Sequence, residues 1–255
     1  MEDRARERVP LPSSADVPLA VSVSTSPAQA RRPWYPRSYV VTDSVAGIER
    51  IFDDGISICI WRRGQNPKIR EYLSHLSLET VIERTERVSM DRPVFDSLLQ
   101  GFPDRPGLSD LMTELQGLTD LFATLCDGHR IGVRLTVTRS APCPRFHVDQ
   151  VGLRLICILQ GPGTEWLEHQ AVDRRHLGAR VQGHADETSG LLVSGAQIHR
   201  MQTFDVGVFK GESWPNNAGR GQFIDPQHLS SATHGESWCH STSWIEGMGK
   251  GITRH

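Results

Sequence analysis

The pattern of apolar residues changes near residue 128, from the three-to-four spacing of helices to the alternation of strands. Before this point the spacing predicts four helices, in which Pro93 lies in a first turn and Ser109 caps the last helix before Asp127 and Gly128. The predicted helices cover residues 44–52, 67–79, 93–102 and 111–126, and a strand covers 56–63. The longest apolar stripe is interpreted as core, and consists of Leu108, Leu111, Met112, Leu115, Leu118, Leu121, Phe122 and Leu125.

Beyond Gly128 the apolar residues form short alternating runs, which Gly, Pro and Asp turns separate. Runs of this kind are typical of strands in a sandwich or barrel. The predicted strands cover residues 129–139, 145–148, 151–160, 163–168, 190–195, 197–202 and 204–211. The pattern therefore predicts an α+β fold, in which a helical N-terminal half packs on a C-terminal antiparallel β-sandwich.

Three segments follow from this pattern. Residues 1–37 are rich in Pro, Ser, Ala and Arg, lack periodicity, and are predicted to be disordered. Residues 38–221 form one α+β domain, helical over about 38–128 and β-rich over about 129–221. Residues 222–255 are polar and do not alternate, so we expect a poorly ordered tail and a sandwich that lacks its last strands.

Composition narrows the function classes. The formal net charge is −2, without the basic excess expected of a nucleic-acid-binding domain. Apolar runs are too short to span a membrane, and the first residues lack a signal-peptide pattern, so we expect a cytoplasmic protein. The five cysteines include no Cys-x-x-Cys pair, and Cys59 and Cys157 lie in apolar runs, where we expect small buried hydrophobes. Oligomeric state cannot be predicted.

His147 and Asp149 are the strongest candidates for a functional site. They are two residues apart on a predicted strand, so their side chains share a face about 7 Å apart. A neutral imidazole and a carboxylate are two of the three ligands in the facial triad of non-haem iron oxygenases. The alternative is a surface histidine beside a solvated carboxylate.

The order of segments around this pair resembles that of iron(II)/2-oxoglutarate oxygenases of the double-stranded β-helix type. In those oxygenases a His-x-Asp strand precedes an apolar strand, a glycine turn with a threonine, and a Gly-x-x-x-Phe type strand, and here the last strand is the apolar segment 205–211. A distal histidine follows in those enzymes, and about ten residues later an arginine that binds the 2-oxoglutarate carboxylate. Two stretches, FHVDQVGLRLICILQGPGTEWL and VGVFKGESWP, more closely resemble a bacterial family known as domain of unknown function 1826, over about residues 40–221. The resemblance implies a jelly-roll-like fold and a link to metals, since genes of the family are associated with zinc-responsive regulation.

Other residues are weaker candidates. Glu165 is either a further metal ligand or an ion-pair partner of Arg154, and the pairing is favoured. Lys210, or an arginine, is a candidate to anchor an anionic co-substrate such as 2-oxoglutarate. His199 precedes the Gly-Val-Phe strand and is interpreted as a surface residue.

The tail departs from the family pattern, which continues with a motif like Ile-His-Arg-Ser-Pro-Ala and a later strand like Arg-Leu-Leu-Leu-Thr-Leu-Asp. A reading frame shifted to the third base of the Gln222 codon can encode the first motif and much of the second. We therefore hypothesise a frameshift, which would place the missing distal histidine near position 224 and an arginine near position 235. A divergent natural tail is the alternative, and His228 and His234 would replace the lost ligand only by accident.

Three functions remain open at this point. The first is an oxygenase-like enzyme with Fe(II), 2-oxoglutarate and a small-molecule substrate. The second is a non-catalytic metal-binding protein linked to zinc supply, with a closed Zn(II) site. The third is an interaction domain with a vestigial site. No catalytic residue can be assigned, and no nucleophile or phosphate-loop motif is present.

Overall fold

The computed structural model combines helices with two β-sheets. All described residues belong to one compact unit, residues 35–255. They are residues 38–76, 82–91, 95–128, 130–138, 146–177, 188–215, 217, 223–225 and 240–247. The predicted disordered segment 1–37 lies outside them.

Eleven strands of the described chain form the two sheets. The larger sheet has the order β1-β2-β9-β6-β11-β4-β3, and the smaller has the order β5-β10-β7-β8. The strands are β1 Tyr39–Thr42, β2 Ile58–Trp61, β3 Ile82–Ser89, β4 Arg130–Thr138, β5 His147–Val148, β6 Leu153–Gln160, β7 Glu165–Leu167, β8 Ile198–Arg200, β9 Val206–Lys210, β10 Phe223–Asp225 and β11 His240–Gly247.

The helices cover one face of the larger sheet. They are a 3-10 helix at Val45–Phe52, α1 at Pro67–Ser74 and α2 at Leu108–Cys126. Alternation along β6 separates two cores, because successive side chains point to opposite faces. The residues Leu155, Cys157 and Leu159 belong to the core that also contains the helices, whereas Ile156 and Ile158 pack with Trp166 of the smaller sheet.

The cysteines interpreted as buried hydrophobes are confirmed as such. Cys59 and Cys157 are both 0% exposed. Burial raises the pKa of the Cys157 thiol to about 12 and that of Cys59 to about 11. Neither is a reactive thiolate at neutral pH.

The start of α2 differs from the prediction. Its N-cap is Gly107, in the left-handed region at φ 100°, and no side chain caps the helix. A Cβ at Gly107 would lie 2.6 Å from the Lys68 carbonyl oxygen and 2.7 Å from Cβ of Tyr72. The close approach of α1 therefore requires glycine here, and Ser109 lies inside the first turn rather than at the cap. The predicted C-terminus is confirmed, with Asp127 as the C-cap.

The prediction of a helix at residues 93–102 is wrong over its described part. Residues 96–101 form turns, and Gly101 at φ 85° interrupts any continuous helix. The helical spacing arises because Phe95, Leu98, Leu99 and Phe102 are all buried in the core. Pro93 lies outside the described residues.

The N-terminal half is less helical than predicted, because it also supplies β1, β2 and β3 to the larger sheet. Of these only β2 was predicted. β3 is an edge strand paired with β4 alone, and its sequence, IERTERVS, is mostly polar and exposed. Such an edge strand lacks the apolar alternation by which strands are found.

The tail contains strands that the sequence pattern did not indicate. β11 lies between β4 and β6, hydrogen-bonded to both, and β10 lies between β5 and β7. The expectation that the sandwich lacks its last strands is therefore wrong for this structure. Backbone hydrogen bonds on both edges can hold such a strand whatever its side-chain pattern. Residues 190–195, predicted as a strand, contribute only an isolated bridge between Val172 and Leu192.

No helix in the described part of the chain is both long and apolar enough to cross a membrane.

Candidate metal site

One row of positions crosses the inner face of the smaller sheet. His147 of β5 pairs with position 224 of β10, which pairs with Trp166 of β7, which pairs with His199 of β8. Directly opposed residues of antiparallel strands share a face. Trp166 packs against Ile156 and Ile158 of the larger sheet, so this row faces the space between the sheets.

His147 and Asp149 come together on this inner face with Arg154 of β6. Nε2 of His147 lies 3.6 Å from Oδ1 of Asp149, with side-chain exposures of 31% and 8%. Nη1 of Arg154 lies 2.9 Å from the same Oδ1. Oδ2 of Asp149 is buried and has no hydrogen-bond partner among the described residues. The side chains of the predicted pair, His147 and Asp149, therefore lie close together. The buried guanidinium of Arg154, which the sequence did not predict, also contacts Asp149.

The two donors fit a shared divalent cation. Ligands at the usual 2.0–2.2 Å from a metal lie roughly 3.0–3.5 Å apart, close to the 3.6 Å between His147 Nε2 and Asp149 Oδ1. The buried Oδ2 atom provides a further oxygen donor. No group of three metal-binding side chains occurs in the part of the chain that the structure describes. The described site therefore offers two protein ligands.

The Lys-Gly-Glu signature holds the loop that carries Asp149. The backbone N–H of Gly211 donates to the carbonyl of Gly152 at 3.0 Å, and that of Glu212 donates to the carbonyl of Asp149 at 2.8 Å. Gly211 is needed here because a Cβ would overlap the carbonyl oxygen of Val151 and lie 2.8 Å from that of Asp149. The Lys-Gly-Glu signature therefore positions the candidate ligand Asp149, although the two lie far apart along the chain.

Replacing Gly211 with alanine is expected to destabilise the protein by about 1–3 kcal/mol, the usual range for overpacking a buried site. Urea unfolding of the variant measures this loss. Gly152→Ala is the matched control, because it lies in the contacted loop and its added Cβ meets nothing within 4 Å. Equal losses in the two variants would contradict the role given to Gly211.

A second signature, Gly161-Pro162-Gly163, forms the turn before β7. Gly161 adopts φ 91°, and a Cβ at Gly163 would overlap the backbone carbonyl of Met201. The turn therefore brings the chain before Trp166 directly against the segment after β8. This packing fixes the row that contains Trp166 and His199.

Glu165 lies on the other face of the smaller sheet from His147. It precedes Trp166 on β7, and adjacent strand residues point to opposite faces. Arg200 Nε donates to Glu165 Oε1 at 2.9 Å. Glu165 therefore forms an ion pair with Arg200 and not with the predicted Arg154, which pairs with Asp149. The sequence suggested the wrong arginine because the register of β7 and β8 was not known.

Lys210 also faces away from the candidate site. It lies on the same face of β9 as Val206 and Val208, which pack in the helix-side core, because strand residues two apart share a face. Its Nζ donates to the Ile56 carbonyl at 2.7 Å and lies 5.3 Å from the centre of the Trp214 ring. Burial lowers the pKa of its ammonium group. In this position Lys210 ties β9 to the loop before β2 and does not meet His147 and Asp149.

His199, interpreted from the sequence as a surface residue, is largely buried. Its ring stacks on Trp166 at 4.2 Å between centroids and 13° between planes, and its Nε2 atom lies 3.4 Å from Glu168 Oε1. Tyr39 of β1 contacts Trp166 edge-on at 4.6 Å. Local alternation could place His199 on a strand, but only the pairing of β7 with β8 places it on Trp166.

The family assignment comes from comparison with known proteins. A family model described as protein of unknown function, DUF1826, matches residues 42–223, which is more than half of the chain. This chain belongs to the DUF1826 family. The match includes His147, Asp149 and the Lys-Gly-Glu signature, and ends within β10. None of the curated proteins compared with this DUF1826 protein matches it.

Solved structures similar to this DUF1826 protein include two oxygenases. The dioxygenase for auxin oxidation 1 from Arabidopsis thaliana, in complex with 2-oxoglutarate, is 10% identical with a TM-score of 0.43, covering 84% of this chain and 93% of that one. A prolyl-4-hydroxylase from Pseudomonas putida is 8% identical with a TM-score of 0.37, covering 79% and 97%.

Proposed function

We propose that this DUF1826 protein is an Fe(II)/2-oxoglutarate oxygenase-like protein in which His147 and Asp149 hold the metal. The observation that carries the proposal is the convergence of His147 Nε2 and Asp149 Oδ1, 3.6 Å apart on the inner face of the smaller sheet. A neutral imidazole and a carboxylate are the donors that non-haem iron sites use.

The division of strands between the sheets supports this proposal. From β4 onward, β4, β6, β9 and β11 lie in the larger sheet, and β5, β7, β8 and β10 lie in the smaller one. Eight strands that exchange between two sheets in this way are typical of a jelly roll or double-stranded β-helix. In that arrangement the inner face of the smaller sheet is where His147 and Asp149 lie.

Each residue has a limited task in the proposed chemistry. His147 and Asp149 would hold Fe(II), which would supply open coordination positions for a 2-oxo acid and oxygen. The Gly211 turn orients Asp149, and the apolar rings of Trp166 and Phe209 exclude water from the space between the sheets. Lys210 has no part in it, because it faces the helices.

A third protein ligand belongs at position 224 in this proposal. Position 224 pairs directly with His147, and the frameshift hypothesis places the lost histidine near it. The family match, which ends at residue 223, also supports a change of reading frame there. As written, the chain has isoleucine at this position and is expected to be a weak or inactive form of the enzyme.

Metal titration tests the site itself. Wild-type protein is expected to bind one Co²⁺ ion, a stable substitute for Fe(II), and His147→Ala and Asp149→Asn are each expected to lose about tenfold or more of that affinity. His75→Ala is the control, since His75 is an exposed residue at the C-cap of α1. Equal binding by all four proteins would exclude His147 and Asp149 as ligands.

Two further experiments test the proposal as a whole. The nucleotide sequence around codon 222 decides the frameshift, since early stop codons in the shifted frame would exclude it. A frame-corrected protein is then expected to produce succinate from 2-oxoglutarate in an iron-dependent manner. Neither turnover nor iron binding by that protein would overturn the enzymatic proposal.

A vestigial site is the second candidate, because one observation favours it. Arg154 already neutralises Asp149, so the buried carboxylate needs no metal for charge balance. If His147→Ala alters neither metal content nor stability, this alternative replaces the first. A closed zinc site would require four protein ligands. If the purified protein retained Zn(II) with no open coordination position, a non-catalytic zinc-binding protein would be favoured instead.

A further inference from the structure

We infer that Arg154 occupies the place of the metal on Asp149 in the metal-free protein, so that a guanidinium and a divalent cation compete for one carboxylate. The inference rests on the proposed metal site at His147 and Asp149, and adds to it a residue that regulates occupancy. Arg154 then acts as a built-in competitor and not as a ligand.

The competition follows from which oxygen Arg154 contacts. Its Nη1 atom lies 2.9 Å from Oδ1 of Asp149, and this same oxygen faces Nε2 of His147 at 3.6 Å. A cation bound by His147 and Asp149 through the nearest atoms must therefore share Oδ1 with the guanidinium. Oδ2, the other oxygen, has no hydrogen-bond partner in the described part of the chain, so Arg154 engages the carboxylate on the side of His147.

Burial makes this sharing unfavourable. The side chains of Arg154 and Asp149 are only 9% and 8% exposed. Charges that solvent does not screen interact strongly, so a divalent cation at Oδ1 repels the adjacent guanidinium. Metal binding must then displace Arg154 from Asp149 or proceed against this repulsion.

The same ion pair is expected to stabilise the metal-free protein. A buried carboxylate is costly unless it is paired, and Arg154 supplies the opposite charge. Removal of the guanidinium leaves Asp149 without this counter-charge until a metal takes its place. Loss of Arg154 should therefore have two opposite effects, a less stable metal-free protein and a tighter metal site.

The test compares Co²⁺ affinity and thermal stability in full-length variants. Arg154→Met removes charge and hydrogen bond with little loss of volume, and Arg154→Gln keeps a donor without the charge. Both are expected to bind Co²⁺ about tenfold or more tightly than wild type by calorimetric titration, the usual scale of coupling between competing ligands. Both should also melt at a lower temperature without Co²⁺ and gain more from adding it.

Arg134→Met is the matched control. Arg134 lies on β4 on the same inner face of the larger sheet, but pairs with Glu83, its Nη2 atom 2.6 Å from Glu83 Oε1. Its loss removes a cation of the same kind without touching Asp149. We expect the Co²⁺ affinity of this variant to stay within about twofold of wild type, because the Arg134–Glu83 ion pair that it loses does not include Asp149.

The outcomes separate the two proposals. If wild type binds Co²⁺ and the Arg154 variants bind it no more tightly, Arg154 is not a competitor, while the metal site stands. If no variant binds Co²⁺, both proposals fail together. An Arg154 variant that folds only with Co²⁺ would support the competition. If Arg154→Met does not fold even with Co²⁺, the Co²⁺ affinity and melting temperature of Arg154→Gln test the competition instead. Failure of both variants to fold with Co²⁺ would overturn the proposed competition.

Discussion

Replacing Ile224 with histidine is expected to raise the affinity of the protein for Co²⁺ or Fe(II) by about a hundredfold or more. Position 224 pairs with His147 on one side and with Trp166 on the other. Directly opposed positions have Cβ atoms about 4.5–5.5 Å apart and share a face. A histidine there would complete the set of two imidazoles and one carboxylate. Loss of groups that merely support a ligand changes affinity ten- to hundredfold, so a gained ligand should reach at least the upper value.

The neighbouring position provides the control for this gain. Phe223 pairs with Val148 and Leu167, the positions that alternate with the inner row and so belong to the outer face. Phe223→His therefore adds an imidazole to the same strand without adding a ligand. Calorimetric titration of both variants should show the gain only in Ile224→His, and His147→Ala should abolish it. A gain of similar size in both would mean that the register does not define the site.

Removal of Arg63 is expected to cause the largest loss of stability, about 3 kcal/mol. Arg63 follows β2 and pairs with Glu114 of α2, and its Nε donates to the Phe204 carbonyl at 2.7 Å. Its Nη2 also lies 3.3 Å from Sγ of Cys157. Loss of one partner of a buried pair costs about 3–5 kcal/mol, and the lower end applies because the side chains of Arg63 and Glu114 remain 17% and 14% exposed.

Urea unfolding of Arg63→Met measures this loss. Arg50→Met is the control, because its ion pair with Asp53 has side-chain exposures of 57% and 52% and should contribute no more than about 1 kcal/mol. The double variant Arg63→Met with Glu114→Leu should be less destabilised than the sum of its single changes, since no buried charge remains unpaired. If Arg63→Met loses no more than Arg50→Met, the network does not stabilise the packing of α2 on the sheet.

The strands of the C-terminal half were largely predictable, and the contacts between them were not. Alternation found β4 because only one of its faces packs in the helix-side core, whereas β6 and β9 were found as apolar runs because both of their faces are buried. It also placed His147 and Asp149 on one face, since period two is a local property. The partner of Asp149, Arg154, belongs to the opposite sheet, and nothing local connects them.

Errors in the candidate site have one physical cause. Glu165 and Lys210 are each one residue away from a position on the inner face, so a shift of one residue reverses their role. Local sequence does not say which face of β7 or β9 looks inward when both faces are buried. The strands β3 and β11 were missed because their pairing depends on the backbone of neighbours far along the chain.

The position of β11 has a consequence for how the protein folds. β4 and β6 are not neighbours in the larger sheet, and β11 alone joins them in the described structure. The sheet therefore cannot close until residue 247 has been synthesised, and before that point two long strands expose unpaired edges. Pairings that await distant segments form slowly and leave intermediates prone to aggregation. The C-terminal half, whose sequence pattern most clearly predicts a sandwich, therefore depends on β11 to complete its larger sheet.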